Sequence, residues 1–270
     1  MRNRTHTFGD HLKGWRQRRR LSQLDLATDA QISARHLSFI ETGRSAPSRE
    51  MILHLAERLD VPIRDRNVLL VAAGYAPTFP HRALDDPALT PVRHAIDIVL
   101  RAQMPYPAFA FNRRWDIVAS NGALPGLYEG IPADLMTPPV NALRLTLHPK
   151  GLAPRIANFP EWSAHLLHRL HQQLEVTGDP ELAALEQELL SLCPESAPHG
   201  TDSAAHAPAP PAGTEFVVPF RANTPAGVIS FFSTTMVFGT PLDVTLSELA
   251  IELFFPADQA TIDIVRAIST

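Results

Sequence analysis

With 270 residues, 45% of them hydrophobic and 19% charged, the chain is long enough for one or two domains with sizeable cores and has the make-up of a soluble globular protein. The single cysteine, Cys193, excludes an internal disulfide framework, and no stretch approaches the roughly 20 apolar residues of a membrane helix. The net charge of −4 is uneven, because residues 1–80 carry 13 basic and 8 acidic side chains and the remainder 11 and 20. A basic first third on an acidic body predicts that only the first part meets a polyanion. The opening MRNRTHTFGDHLKGW lacks the apolar stretch of a secretory signal, so a cytoplasmic location is expected.

The segment up to Tyr75 predicts five short helices. Phe8, Leu12 and Trp15 fall at i, i+4 and i+7, a buried stripe, and Arg16, Arg18, Arg19 and Arg20 make the end of that helix positive. That arginine run is read equally as phosphate-attracting or as a solvated face. Ser22 can cap a second helix, with Asp25 at its positive end and Leu24, Leu26 and Ala27 on its apolar side. A third helix starts at Ser33 and stops at Gly43, a residue suited to a left-handed cap. Ser48 caps a fourth, with Ile52, Leu55, Ala56 and Leu59 inward, and a fifth covers Val68–Ala73 before Gly74.

Prolines cluster at Pro77, Pro80, Pro87 and Pro91, so residues 76–91 read as a linker. A helix from Val92 to Gln103 follows, then strands Ala108–Phe111 and Trp115–Ser120. Helices are expected around Trp162–Leu174 and Glu181–Leu192. The stretch PESAPHGTDSAAHAPAPPAG, residues 194–213, is a low-complexity insertion. Beyond it Glu215–Phe220, Gly227–Phe232 and Thr234–Phe238 read as three strands. Thr245 and Glu248 then make a T-x-x-E capping box that predicts a helix over LAIELFF, and a last helix runs from Gln259 to Ile268. An all-α first domain, residues 7–75, is therefore followed by an α+β domain with an antiparallel sheet, residues 92–270.

Two short helices joined by a tight turn at residues 22–42 form the helix-turn-helix arrangement, whose second helix enters a major groove about 12 Å wide. On a 100° wheel Leu37 and Ile40 face the core. Ala34, Arg35, Ser38, Phe39 and Thr42 spread over the other side, where an arginine can pair with guanine and small or apolar groups can meet a thymine methyl. His36 lies toward the inner side. S-Q-x-x-L-A at Ser22–Ala27, S-x-x-x-L-S-x-I-E-x-G-R at Ser33–Arg44 and P-S at Pro47–Ser48 resemble the phage Cro/C1 repressor-type (XRE) helix-turn-helix family. The resemblance implies that Gln23 binds a phosphate, that Ser33, Ala34 and Arg35 read bases with Phe39 one turn on, and that Arg44 and Ser45 touch the DNA backbone. Gln31 stands where that family often has glycine; a positive φ there costs on the order of 1 kcal/mol.

W-D-I-V-A-S-N-G-A at Trp115–Ala123, H-P-K-G at His148–Gly151 and F-G-T-P-L-D-V-T-L-S-E-L-A-I-E-L-F-F-P-A-D at Phe238–Asp258 resemble the ligand-binding domain of MmyB-like bacterial transcription regulators. That resemblance implies a PAS-like, five-stranded antiparallel sheet with helices around a pocket for an apolar molecule, a fatty acyl chain. Phe109, Phe111, Phe231, Phe232 and Phe238 on the expected strands, with Trp162, Leu166 and Leu170 on one helix face, are candidate pocket residues, although every α+β core carries such side chains. Arg144 and Arg155 are the candidate cations for a carboxylate.

His165, His168 and His171 are expected on a solvated face rather than at a metal, and Cys193 is expected to be an ordinary thiol. No phosphate-loop, dinucleotide, metalloprotease or nucleophile-elbow motif is present, so no enzyme is expected. The resulting expectation is a sequence-specific DNA-binding regulator, dimeric on an inverted repeat because one short helix reads few bases, with a hydrophobic small-molecule effector. The alternative is a second domain that docks a protein and holds no small molecule.

Overall fold

The computed structural model describes residues 7–193 and 217–269, so the whole of the expected insertion at 194–213 lies outside the described residues. The chain forms two compact units. The first takes in residues up to Ala83 with Glu175–Thr177 and Thr240–Ser247; the second takes in Leu84–Leu174, Gly178–Gly239 and the chain from Glu248.

In the first unit five helices follow the expected punctuation. Helix α1 (Phe8–Arg18) starts with a capping box between Thr7 and Asp10, and α2 (Gln23–Asp29) with another between Ser22 and Asp25. Ser33 and Ser48 cap α3 (Ala34–Glu41) and α4 (Arg49–Arg58) through their side chains, and Gly43 takes φ 71° after α3. Helix α5 (Ile63–Ala72) begins five residues before the expected Val68. Its first turn carries Arg64, Asp65, Arg66 and Asn67, which hide the apolar period, while Pro62 sits where a helix start tolerates proline. Leu24 departs from expectation at 65% exposed, and Leu26 and Ala27 alone carry the inner side of α2.

The core of this unit joins Leu12, Leu26, Leu37, Ile40, Leu55 and Leu70, each almost fully buried. Burial of one such side chain stabilises by roughly 1.5–3 kcal/mol. The proline-rich segment after α5 is not loose at its start. The Asn67 side chain accepts from the N–H groups of Thr78 and Phe79 and donates to the Phe79 carbonyl.

The second unit opens with α6 (Thr90–Ala102), β1 (Ala108–Phe111) and β2 (Ile117–Ser120). Strand β2 starts later than the expected Trp115 because Trp115 takes φ 67° in the connecting turn, where the Asn112 side chain caps the N–H groups of Arg114 and Asp116. Helices α7 (Ala133–Met136), α8 (Ala142–Leu147), α9 (Phe159–Thr177) and α10 (Pro180–Leu192) follow, then β3 (Phe220–Thr224) and β4 (Gly227–Val237). The short α11 (Val244–Ser247), grouped with the first unit, precedes β5 (Ala250–Pro256) and α12 (Gln259–Ile268). The five strands form one antiparallel sheet in the order β2-β1-β5-β4-β3. The chain thus combines an all-α first part with an α+β second part.

Three sequence expectations are corrected here. The runs Gly227–Phe232 and Thr234–Phe238 are one strand, β4, with Phe238 just past its end. Only the last residue of the expected strand Glu215–Phe220 is in β3; Val217–Pro219 are not in a strand, and 215–216 lie outside the described residues. The expected helix over LAIELFF is the central strand β5, paired with β1 on one side and β4 on the other. Ile251 to Phe254 are all buried, so the run is continuously apolar except for Glu252, and a strand covered on both faces has no alternation to reveal it.

Gly151, in the H-P-K-G turn after α8, shows why this turn is built as it is. A Cβ there would lie 2.2 Å from the carbonyl oxygen of Leu145, which also accepts the N–H of Leu152 at 2.8 Å. Gly151→Ala is therefore expected to destabilise the second unit by about 1–3 kcal/mol through forced backbone displacement, read by urea unfolding. A change below the error of that measurement would contradict the close approach.

Candidate functional site

In the first unit α2 and α3 are joined by a turn in which Gln31 takes φ 55°, so a side chain occupies the left-handed position that glycine fills more cheaply. The Ile32 N–H bonds back to the Ala27 carbonyl and closes the turn. On α3, Leu37 and Ile40 are buried, whereas Arg35 and Thr42 are exposed and Ala34, Ser38 and Phe39 are half-buried. The Arg35 guanidinium lies 5.3 Å above the Phe39 ring and that of Arg44 lies 6.0 Å from it. Phe39 thus holds two cations at one end of an exposed face. The Phe39 carbonyl also accepts the N–H groups of Arg44 and Ser45, fixing the loop after α3 against the helix end. The hydroxyl of Ser33 accepts from the His36 N–H as the cap of α3.

Beneath this face lies a polar cluster that the sequence did not disclose. Arg16, 8% exposed, donates from Nε and Nη2 to the two carboxylate oxygens of Glu41 at 2.7 and 3.0 Å, and from Nη1 to the Leu21 carbonyl. Gln23 donates its side-chain amide to Glu41 Oε2 at 2.7 Å. Burial works to raise the Glu41 pKa, but the hydrogen bonds from Arg16 and Gln23 and the charges of Arg16 and Lys13 outweigh it, leaving the carboxyl below its ordinary value. The arginine run accordingly splits. Arg16 is inside, and Arg19 donates to the carbonyls of Leu59 and Asp60, while Arg18 and Arg20 are exposed. The i+4 step from Leu12 to Arg16 was the available signal, obscured by the charges that follow.

In the second unit a cavity of about 80 Å³ lies against the sheet. Phe109, Phe220, Glu252 and Phe254 line it from the strands; Leu143, Leu145 and Thr146 of α8 and Trp162, Leu166 and Arg169 of α9 line it from the helices. A second cavity of about 340 Å³ shares Pro107, Phe109, Ile117, Tyr128 and Leu145 with the first and reaches toward Met136 and Val140. Mostly apolar walls with few polar groups are the usual make-up of a small-molecule site, and of the two cavities the second reaches the roughly 300 Å³ at which such sites usually begin, while the first is smaller.

The polar groups of the walls are mostly committed to one another. Arg169 donates to both carboxylate oxygens of Glu252 at 2.9 and 3.2 Å and to the Thr235 hydroxyl, which itself donates to Glu252. Arg169 also lies 5.0 Å from the Trp115 ring. Thr146 donates its hydroxyl to the Ala142 carbonyl. Burial pushes the Tyr128 phenol up, so it keeps its proton. Trp162 is 3% exposed, and its Nε1 has no hydrogen-bond partner among the described residues.

Two comparisons bear on what these sites do. Residues 92–268 match the family model described as the MmyB-like transcription regulator ligand binding domain. The chain belongs to the MmyB-like transcription regulators. Residues 7–69 of the regulator match the model of a helix-turn-helix domain, so a DNA-binding module precedes the ligand-binding one. A comparison with curated proteins finds no match.

Of the residues singled out in the regulator's sequence, Ser33, Ala34, Arg35, Ser38 and Phe39 lie on α3 or at its cap, with Arg44 and Ser45 directly after it. Phe109, Trp162 and Leu166 line the first cavity. Phe111, Phe231 and Phe238 are in neither wall. Phe111 stacks on Trp115 at 4.8 Å, Phe231 is fully buried in the core, and Phe238 follows the end of β4.

Arg144 and Arg155 are also absent from both walls. Arg144 is paired bidentately with Glu188 on α10, and Arg155 donates to the carbonyls of Leu127 and Glu129. Arg169, at i+7 from Trp162, is the cation that sequence reasoning missed. His165 is not on a solvated face. It is half-buried and stacks on Trp162 at 5.3 Å; desolvation, aided by the charge of Arg169, lowers its pKa. His168 is exposed and His171 bonds Glu186 at 2.8 Å. Cys193 is buried, and burial pushes its thiol up. Among the described residues no three His, Cys, Asp or Glu side chains group as metal ligands, and no helix is long and apolar enough to cross a membrane.

Proposed function

We propose that the regulator reads an operator as a homodimer on an inverted repeat, in the manner of XRE repressors, and that an apolar effector of the fatty acyl class occupies the cavity and changes operator affinity. The observation that carries this reading is the exposed face of α3, in which Arg35 and Arg44 flank Phe39, joined in one chain to a domain with a largely apolar cavity. Arg35 supplies the bidentate contact to guanine, and Ala34 and Phe39 the apolar contacts to thymine. Ser33 reads a base beside them, while Ser38, Arg44, Ser45 and Gln23 position the helix on phosphates, Gln23 through its backbone N–H and the second hydrogen of its side-chain amide, because the first serves Glu41.

An effector with different affinities for two dimer arrangements shifts DNA affinity by linkage, typically by about 1–3 kcal/mol. Such a protein works on genomic DNA in the cytoplasm, and none of its proposed roles requires catalysis.

Arg35→Ala is expected to cost about 1–3 kcal/mol of operator binding and to relax base choice at one position, with little change on random DNA. Competition binding on both DNAs measures it, and an equal loss on the two would remove Arg35 from base reading. For the effector, organic extraction of purified protein followed by mass spectrometry is expected to yield acyl chains near one per protomer. An empty protein that also fails to take up added acyl compounds would favour the docking role instead.

A further inference from the structure

We propose that the Tyr128 hydroxyl is the polar anchor of the effector site and that it holds an uncharged oxygen, an alcohol or a carbonyl at the head of an apolar chain, at the wall the two cavities share. This inference deepens the reading of the cavities as the effector site and rests on it.

Tyr128 ends the short helical turn Pro125–Tyr128 and lines both cavities. A phenol can donate one hydrogen bond and accept others, and a buried one ordinarily has a partner. Among the described residues nothing bonds the Tyr128 hydroxyl. Its oxygen is nonetheless open to a molecule the size of water. Trp162 marks the contrast, since its unpartnered Nε1 is shut off and can meet no ligand. The phenol lies deep enough for burial to raise its pKa. An open hydroxyl at that depth, on a side chain common to two cavity walls, faces the cavities.

The other polar groups of the walls have less to offer. The Asn121 side chain accepts the N–H groups of Ala108 and Ala123 and donates to the carbonyls of Leu100 and Tyr106. Thr146 donates to the Ala142 carbonyl, and Ser120 is exposed on the edge strand β2. Among the described residues no charged side chain lines the larger cavity, and Arg169, the one cation of the smaller, is already paired with Glu252. A ligand carboxylate would therefore meet a neutral phenol and no free cation, and an unpaired buried charge is strongly disfavoured. A neutral oxygen needs only the one hydrogen bond that Tyr128 can make.

The test uses the full-length chain and displacement of the neutral fluorophore N-phenyl-1-naphthylamine by 1-octanol, octanoate and octane at about pH 8, each kept below its solubility. Octanol is expected to bind about tenfold more tightly than octanoate. Tyr128→Phe removes only the oxygen and is checked for folding by circular dichroism. It is expected to weaken octanol about tenfold and to leave octane unchanged, the scale of a buried oxygen deprived of its partner. Octanoate binding as tightly as octanol or more so, Tyr128→Phe leaving octanol unchanged, or that variant weakening octanol and octane alike overturns the proposal and leaves the effector site standing. Displacement by none of the three removes the effector site and the proposal together.

Discussion

Glu41→Ala is expected to lower the stability of the DNA-binding unit by about 3–5 kcal/mol, because it strands the Arg16 charge in the core. The side chains of Arg16 and Glu41 are 10% and 2% exposed, and Glu41 also receives the amide of Gln23. Removing the carboxylate leaves three donor groups unmet at the junction of α1, α2 and α3, two of buried Arg16 and one of half-buried Gln23. Operator binding should fall along with stability, since Gln23 and the start of α2 lose their anchor. The double change Arg16→Met with Glu41→Leu should cost far less, because no charge is left uncompensated.

The same pair sets an acid limit. The folded carboxyl of Glu41 titrates below its ordinary value, so its contribution is fully present above about pH 4.3 and is lost as pH falls through the lower folded value. Glu41→Gln should flatten that part of the stability profile. Denaturant unfolding across pH reads both effects, and a loss under about 1 kcal/mol for Glu41→Ala would contradict the structural role given to the pair.

Glu252→Ala is expected to cost the second unit about 3 kcal/mol, at the lower end for a broken buried pair because the Arg169 side chain is 23% exposed. Its effect on binding should be opposite in sign. Glu252 lies opposite Phe109 on β1 and Thr235 on β4 in the middle of the sheet, and both it and Arg169 face the cavity. Freed from its carboxylate, Arg169 becomes an unpaired cation in an apolar wall, and decanoate should then bind about tenfold more tightly than to the unaltered protein. Unchanged decanoate affinity would show that Glu252 does not hold anions out. Unchanged stability would show that the pair does not hold the sheet to α9.

The helices of the DNA-binding unit could be read from the sequence because their signals are local. Ser22 and Ser48 cap the helices they were expected to cap, Ser33 caps the helix expected to start there, and Gly43 and Gly74 take positive φ where helices stop. The outer face of α3 followed from its period alone. Features set by distant partners stayed hidden. Arg16 is buried only because Glu41, 25 residues on, meets it. Strand β5 is a strand because β1 and β4 flank it, and its T-x-x-E lead and apolar run suit a helix equally well.

In the cavity, Trp162 and Leu166 were legible as an apolar stripe. Arg169 on the same face was passed over because a cation is not expected inward until its carboxylate, contributed by a strand misread as helix, is in place. Arg144 and Arg155 drew attention by being basic, yet one meets Glu188 and the other backbone carbonyls.

The central claim is that one chain couples operator reading to occupancy of an apolar cavity. Operator selection from a random DNA pool with the full-length protein, followed by affinity measurement with and without acyl compounds, both free acids and esters, tests it most directly. The account predicts an enriched inverted repeat whose affinity shifts about fivefold or more when the cavity is filled, the low end of usual coupling energies. Enrichment of a repeat whose affinity is indifferent to every acyl compound, or no enrichment at all, would contradict it.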